Sequence, residues 1–237
     1  MTKLRTYACI FALLLSSVVM AQTPNDSTKK ETVRGIMVQR DKPFSFKEQP
    51  VFAGCAVGFD VAGAAMMGLA KWGQLEGQVR VNIKHRIFPV AEIGWGRSNY
   101  TDDKTDQHYK TDAPYFRIGC DYNFIKNPLT GNRIFGGVRY GYTSFKYDMS
   151  GHDIVDPVWN VTMPYNVQGY RSSQHWLEIV AGVEARIWKF FHLGWSVRYK
   201  IRLKEGDNAY GSAFYVPGFG KNDTSCFGGS LNLIFDI

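Results

Sequence analysis

The sequence predicts an all-β protein, an eight-stranded antiparallel up-and-down transmembrane β-barrel. Eight segments between residues 51 and 237 alternate apolar and polar side chains. Because successive side chains of a strand point to opposite faces, each segment is predicted to be a strand with one apolar and one polar face. The connections between these segments are alternately short and long, which is the arrangement found in outer-membrane barrels.

The first residues have the features of a secretion signal. Lys3 and Arg5 precede an apolar run over 7–19, and small residues follow that run. The run is shorter than the ~20 residues that a transmembrane helix requires. We therefore expect residues 1–21 to be a cleaved signal peptide. Residues 22–50 are polar and contain three prolines, and they are predicted to form a flexible periplasmic segment.

The predicted strands belong to one barrel domain, residues 51–237, without a recognisable repeat or second domain. In residues 193–203 every second side chain is apolar, whereas Arg198, Lys200 and Arg202 lie on the other face. The eight predicted strands are approximately 51–62, 74–84, 89–98, 114–124, 134–146, 174–187, 193–203 and 226–237.

The lengths of the connections predict which end of the barrel faces the cell surface. The connections after the second, fourth and sixth strands are a few residues long. The others are long loops, at 63–73, 99–113, 147–173 and 204–225. Outer-membrane barrels place short turns in the periplasm and long loops outside the cell. We therefore expect the long loops to be extracellular and both ends of the barrel chain to be periplasmic.

Alternation alone does not decide which face meets lipid, because a soluble lipocalin-like barrel would turn its apolar face inward. Three observations favour lipid outside. The strands reach the ~9–11 residues of a tilted transmembrane strand, and the polar face alternates glycine with charge, which suits a narrow lumen. Aromatic residues near strand ends are predicted to form interfacial girdles; they are Trp72, Phe88, Trp95, Phe124, Tyr142, Trp176, Trp188, Phe190, Phe191 and Phe235.

The polar face is then the barrel interior, and its charges nearly balance. The predicted interior acids are Asp60, Glu76, Glu92, Asp121, Glu178, Glu184 and Asp236. The predicted interior bases are Arg80, Lys84, Arg117, Arg139, Arg186, Arg198, Lys200 and Arg202. Buried charge is tolerated when it is paired, so we expect an ion-pair network. An eight-stranded barrel is just wide enough for side chains to fill, so no open pore is expected.

Composition argues against several other functions. The net charge of +7 is spread along the chain without a basic cluster, so no nucleic-acid partner is expected. Three cysteines follow the signal, Cys55, Cys120 and Cys226, without metal-ligand spacing. We interpret them as small apolar residues within strands, and their thiol state stays open. No cofactor is expected.

Residues 51–237 resemble the OmpA/OmpX-like eight-stranded barrels in architecture. A closer likeness runs through V-R-V-N-I-K-H-R-I-F-P-V-A-E-I-G-W-G (79–96), P-Y-F-R-I-G-C-D-Y-N-F-I-K (114–126) and G-V-R-Y-G-Y-T-S-F-K-Y-D (137–148). These segments resemble an uncharacterised family of Bacteroides-type outer-membrane proteins whose members have no assigned activity. The resemblance implies an outer-membrane location and a barrel, and it supplies no catalytic residues.

One segment carries the residue types of a lipid-modifying enzyme. Residues 172–178 contain Ser173, His175 and Glu178. On a strand, Ser173 and His175 share a face but Glu178 lies on the other, so a Ser–His–acid relay does not form locally. We expect these residues to be part of a polar rim at the upper edge of the membrane.

The loops contain residues that could bind a divalent cation or a partner. His108 and His152 lie in polar loops near acidic residues, Asp102, Asp103, Asp106 and Asp153, although solvated loop residues are the more common interpretation. The two longest loops are rich in aromatic residues, with Trp159, Tyr165 and Tyr170 beside Val158 in one and Tyr210, Phe214, Tyr215 and Phe219 in the other. Aromatic loops either contact a partner or glycan, or pack over the barrel mouth as a lid.

The predicted function is non-enzymatic, a structural or surface-interaction role through the long loops. A first alternative is an acyl hydrolase or transferase acting on outer-membrane lipid, with Ser173 or His175 and an acid from another strand. A second is an accessory subunit of a secretion or assembly machine. Expected partners are outer-membrane lipid, the barrel-assembly machinery and a surface or periplasmic protein of unknown identity.

Overall fold

A computed structural model shows that the eight long strands close into one antiparallel barrel, which confirms the predicted fold class. Each long strand pairs with the long strand that precedes it and the one that follows it in the chain, and the last pairs with the first. The residues that the structure describes are 49–101, 106–126, 130–151, 154–155, 162–163, 165–206 and 212–237. The predicted signal peptide and most of the 22–50 segment lie outside these residues.

The barrel strands and the smaller elements between them have well-defined bounds. The barrel consists of β1 (Phe52–Asp60), β2 (Trp72–Ile83), β3 (Ile87–Thr101), β4 (His108–Asn123), β5 (Arg133–Ser150), β8 (Asn166–Arg186), β9 (Phe191–Glu205) and β12 (Ser225–Asp236). The remaining elements are a helix, α1 (Val61–Leu69), and two small hairpins, β6 (Ile154–Val155) with β7 (Thr162–Met163) and β10 (Tyr215–Val216) with β11 (Gly220–Lys221). Among the described residues, no helix has the length and apolar composition needed to cross a bilayer.

The two faces of each strand are those that the alternation predicts. On β3, Ile93 is 69% exposed and its neighbour Glu92 is 3% exposed. On β4, Ile118 is 60% exposed and Arg117 is 1% exposed. An apolar exterior around a polar, filled interior is the reverse of a water-soluble barrel, and it is the pattern of a barrel surrounded by lipid.

The strands are longer than the sequence indicates at the end of the long loops. β5 has 18 residues and β8 has 21, so much of the predicted 147–173 loop is strand. On the outward face of β5, apolar residues end at Tyr142, and Ser144 follows. Beyond this boundary polar side chains face outward, so the period-2 apolar signal used to delimit strands is lost.

The predicted loop 63–73 is wrong in part, because the chain turns into α1 directly after Asp60. Asp60 is the N-cap of the helix, and its Oδ1 accepts a hydrogen bond from Ala62 N at 3.2 Å. Capping by aspartate and a run of alanine and methionine favour a helix. Val61 is therefore in α1 rather than on the outward face of β1, and the alternation of β1 is also interrupted by a bulge between Phe52 and Cys55.

Candidate functional site

The middle of the lumen is organised around Arg117, whose side chain has no exposed surface. Its Nε lies 2.9 Å from Glu92 Oε2, and its Nη1 lies 3.0 Å from Glu178 Oε1. Its Nη2 is paired with Glu76. One guanidinium on β4 therefore contacts carboxylates from β2, β3 and β8.

Two further arginines complete this group. Arg198 Nη1 lies 2.8 Å from Glu92 Oε2, and its Nη2 lies 3.0 Å from Glu76 Oε1. Arg139 is paired with Glu92, and its Nη2 lies 3.1 Å from Asp121 Oδ2. We call Glu76, Glu92, Asp121, Glu178, Arg117, Arg139 and Arg198 the lumen network. Its members are all buried and ion-paired, as predicted, because an unpaired charge in this environment would be costly.

A second cluster lies nearer the short turns. Glu184 pairs with Arg80 at 2.5 Å and with Arg133 at 2.6 Å. His192 lies between two carboxylates, with Nδ1 3.1 Å from Glu184 and Nε2 2.9 Å from Asp236. A cavity of about 200 Å³ opens beside these residues.

Arg133 and His192 are interior residues that the sequence analysis missed. The signal was present in the phase of the strands, because Arg133 has the parity of Arg139 and His192 has the parity of Arg198. Arg133 lies one residue before the predicted strand 134–146, and its guanidinium carbon lies 4.1 Å from the centre of the Phe88 ring. The predicted strands 134–146 and 193–203 begin one residue too late to include Arg133 and His192.

Some predicted positions are wrong. Phe88 and Trp176 are 4% and 0% exposed in the interior, not in an outer girdle. Lys84 is in the turn after β2, with a φ of 51°, and Arg186 is exposed. Arg202 lies at the rim, where it pairs with Glu205 at 2.8 Å. Phe88 and Trp176 have the inward phase of their strands, and Lys84, Arg186 and Arg202 lie near or beyond strand ends, where the lumen opens.

Little space separates the two charged clusters. A cavity lined by residues of both, including Arg80, Asp121, Arg139 and Glu184, has a volume of about 10 Å³. A water molecule needs roughly 10–15 Å³ of such volume. The described side chains therefore fill the barrel at this level.

Residues 212–221, which we call the lid, close the loop end of the barrel. Val216 and Phe219 are fully buried. Lys200 Nζ donates hydrogen bonds to the carbonyl oxygens of Gly218, at 2.7 Å, and Phe219, at 3.1 Å. The ring of Phe219 packs edge-to-face on Trp176 with 5.9 Å between centroids. The lid thus joins an aromatic core that includes Tyr109, Tyr115, Phe145, Tyr147 and Trp176.

Aromatic residues in part of the 204–225 loop pack against the barrel strands. The Tyr109 hydroxyl donates to the carbonyl oxygen of Tyr215 at 2.6 Å, and burial raises the pKa of the Tyr215 hydroxyl to about 12. Phe214 is 43% exposed and stacks on Tyr100 with 5.2 Å between centroids. Tyr165 and Tyr170 are half-buried. Val158, Trp159 and Tyr210 lie outside the described residues.

The candidate catalytic residues Ser173 and His175 do not form a relay among the described residues. Both face outward, and His175 Nδ1 lies 2.6 Å from the Tyr140 hydroxyl, with its ring packed against Tyr142. Glu178 faces the lumen, where it accepts a hydrogen bond from the Trp176 indole at 2.7 Å. Glu178 and His175 are thus on opposite sides of the barrel wall.

The candidate cation ligands lie mostly outside the described residues. Of them, Asp106 and His108 are described, and His108 Nδ1 lies 3.0 Å from Thr101 Oγ1. In the part of the chain that the structure describes, no group of three or more His, Cys, Asp or Glu side chains could hold a metal ion. The strand cysteines, Cys55, Cys120 and Cys226, are free thiols.

A closed eight-stranded barrel with an apolar exterior and an ion-paired lumen defines a small transmembrane β-barrel. The chain belongs to the family described as a domain of unknown function, DUF6048, whose model matches residues 3–235. The expectation of a family without assigned activity is thereby confirmed. No curated protein matches the chain.

The solved structures that are similar to this chain include the following two. Neisserial surface protein A is 11% identical, with a TM-score of 0.42, and the match covers 78% of this chain and 96% of that one. The attachment invasion locus protein Ail of Yersinia pestis, solved in complex with the heparin analogue sucrose octasulfate, is 10% identical, with a TM-score of 0.37. That match covers 77% of this chain and 93% of the other.

Proposed function

We propose that this protein is a non-enzymatic outer-membrane barrel with a closed lumen, which has a structural or surface-interaction role at its loop end. The observation that carries the proposal is the closure of the lumen. The lumen network fills the middle of the barrel, and the lid covers its loop end, with Phe219 fully buried. Such a barrel is suited to presenting a rigid surface rather than to passing solutes.

The exterior of the barrel supports an outer-membrane location. Exposed apolar side chains such as Ile93, Ile118 and Ile179 form a continuous belt around it. A belt of this kind is stable in lipid, and closed barrels satisfy every strand hydrogen bond there. The barrel-assembly machinery would insert the chain, and outer-membrane lipid would surround the belt.

The extended strands support a surface role. Beyond Tyr142 and His175, strands β5 and β8 continue with polar outward side chains, among them Lys146, Asp148 and Arg171. Rigid strands that carry loops past the membrane offer a defined surface to a partner. The partner is a surface or periplasmic protein, or a glycan, of unknown identity. In this proposal, residues 22–50 act as a periplasmic tether after removal of residues 1–21.

Two measurements test the proposal. Protease added to intact cells is expected to cut within 147–173 or 204–225 and to spare the 126–132 turn; the reverse pattern would invert the topology. The purified protein in planar bilayers is expected to show no stable conductance. Steady single-channel currents from the wild type would contradict a closed lumen.

A further inference from the structure

Strand β1 ends early, and α1 lies where its continuation would be. β1 has 9 residues, whereas its neighbours β2 and β12 have 12 each. The pairing of β1 with β12 stops at Asp60–Asn232. The helix contacts both β2 and β12, so it covers the barrel wall at the loop end of this seam.

Glycines allow the helix to lie directly against β2. A Cβ on Gly73 would overlap with the backbone of Met67, and a Cβ on Gly63 would lie 2.5 Å from Gln74 O. Gly73 pairs with Arg97 of β3, whose exposed side chain is on the outward face. The end of α1 therefore packs on the outside of the barrel.

A cavity of about 210 Å³ lies between the end of α1 and strands β2 and β3. Its polar lining includes Lys71, Arg97 and Asn99, and its apolar lining includes Met67 and Trp72. A hydrogen bond of 2.8 Å from Asn99 N to Lys71 O joins the two strands at the cavity. Among the described residues, no carboxylate forms an ion pair with Lys71 or Arg97. The carboxylate of Asp112, the residue directly opposite Arg97 on β4, accepts a hydrogen bond from the Trp95 indole instead.

The cavity lies at the upper edge of the apolar belt. The outward pair next to Gly73–Arg97, toward the short turns, is Leu75–Trp95, and both of these side chains are exposed. Leu69, at the end of α1, is 89% exposed. Positive charge thus lies directly above an apolar surface, at the height where lipid headgroups meet acyl chains.

We propose that this cavity binds the phosphate-bearing headgroup of a lipid in the outer leaflet. Lys71 and Arg97 bind the phosphate through charge-assisted hydrogen bonds, and Met67 and Leu69 contact the first part of the acyl chains. Free phosphate would use the two cations alone. A lipid also uses the apolar lining and the belt below it, so we assign the lipid. This inference rests on the proposed outer-membrane location.

The test measures lipid binding by the full-length protein in nanodiscs of phosphatidylcholine. Lipid A, the phosphorylated glucosamine lipid, is titrated in, and bound lipid is counted by native mass spectrometry. We expect Lys71→Gln/Arg97→Gln to weaken binding about tenfold or more, as for loss of charge-assisted hydrogen bonds. Lys71→Arg/Arg97→Lys is expected to retain binding. The matched control is Lys146→Gln/Arg171→Gln, which removes two exposed cations that are paired across β5 and β8.

The remaining arms identify the ligand chemistry. The wild-type protein is expected to bind dephosphorylated lipid A as weakly as Lys71→Gln/Arg97→Gln binds lipid A. Equal binding of the two lipids would overturn phosphate recognition, and displacement of lipid A by inorganic phosphate at the same concentration would overturn the lipid assignment. Membrane fractionation separates the two proposals. If the protein is absent from the outer membrane, the proposed function is wrong. If it is present there and Lys71→Gln/Arg97→Gln binds lipid A as well as the control Lys146→Gln/Arg171→Gln does, this inference alone is wrong.

Discussion

Arg117 of β4 and Glu178 of β8 form an ion pair that crosses the lumen, with 3.0 Å between Nη1 and Oε1. Strand β5 lies between their strands in the barrel wall, and 61 positions separate the two residues in the sequence. Neither side chain has exposed surface. The pair therefore connects strands that share no backbone hydrogen bonds, and it stabilises the barrel through its interior.

Replacing Arg117 with methionine is expected to destabilise the barrel by about 3–5 kcal/mol, because three buried glutamates lose their shared cation. Urea unfolding in lipid vesicles measures the change. Lys110→Met removes an exposed cation from the same strand and is expected to change stability by no more than about 0.5 kcal/mol. Equal effects of the two variants would show that the interior pairing contributes nothing.

A positive charge in the middle of the apolar belt is expected to impair insertion. Val183 is on the outward face of β8, paired with Ile134 and Trp195. Val183→Arg should reduce the stability of the inserted barrel by about 2–4 kcal/mol, and Ser173→Arg, at the upper edge of the same face, by about 0–1 kcal/mol. Normal membrane assembly of Val183→Arg would refute the assignment of the lipid face.

The lid is expected to open when a side chain is added beneath it. A Cβ on Gly96 would lie 2.8 Å from Pro217 Cα. Gly96→Val should therefore displace residues 212–221 and increase their cleavage by protease in the purified barrel. Gly77→Val is the control, because a Cβ there would meet only Gly58 O at 3.9 Å. Unchanged cleavage of Gly96→Val would show that the lid tolerates the added volume.

Outer-membrane lipid is expected to be chemically unchanged by this protein. Mass spectrometry of lipids from a deletion strain and an overproducing strain should give the same acyl chains and headgroups, because Ser173 and His175 face outward whereas Glu178, the acid of their segment, faces the lumen. Ser173→Ala and His175→Ala should leave the profile unchanged as well. A reciprocal gain and loss of one acyl chain would instead favour the enzyme.

Acid is expected to weaken the turn between β2 and β3. His85 Nδ1 lies 3.2 Å from Asn82 Nδ2, and burial lowers the pKa of His85 below its ordinary value of 6.5. The folded state therefore favours neutral His85, so its contribution to stability is present above that value and declines as pH falls through it. Urea midpoints at about pH 7.5 and about pH 5 measure this decline.

His85→Asn is the variant for this measurement, since asparagine tolerates the positive φ of 56° at this position. We expect a smaller difference between the two midpoints in the variant than in the wild type. The same difference in both proteins would show that other groups cause the acid sensitivity.

The amino-acid sequence alone determined which side chains share a face of each strand. Glu92 and Ile93 are adjacent in the chain, and one is buried in the lumen while the other is exposed. This property is local, because a strand alternates its side chains whatever it pairs with. The eight strands, their antiparallel order and the charged interior follow from it, and they could be predicted without coordinates.

The ends of the strands could not be predicted in the same way. Beyond Tyr142 on β5, polar side chains face outward while Phe145 and Tyr147 pack inside, so the apolar phase used to recognise a strand is reversed. This reversal hid the strand extensions at the loop end, whereas Arg133 and His192 keep the ordinary phase at the turn end and lie one residue before the predicted strands. The helix after Asp60 could not be predicted for a different reason. Its start depends on where the pairing of β1 with β2 and β12 stops, which is a property of three strands together.

Only the tertiary structure decided which charges meet and what covers them. The sequence contains Arg117 and its glutamates, but the strand register and tilt of the whole barrel bring Glu76, Glu92 and Glu178 to one guanidinium. The same holds for Phe219, whose aromatic side chain in a loop is compatible with exposure or burial. Phe219 is buried because the lumen is wide enough to accept its ring and because Lys200 donates hydrogen bonds to two carbonyl oxygens of the lid. Contacts between segments distant in the chain carry no local pattern, so they are determined by closure of the barrel.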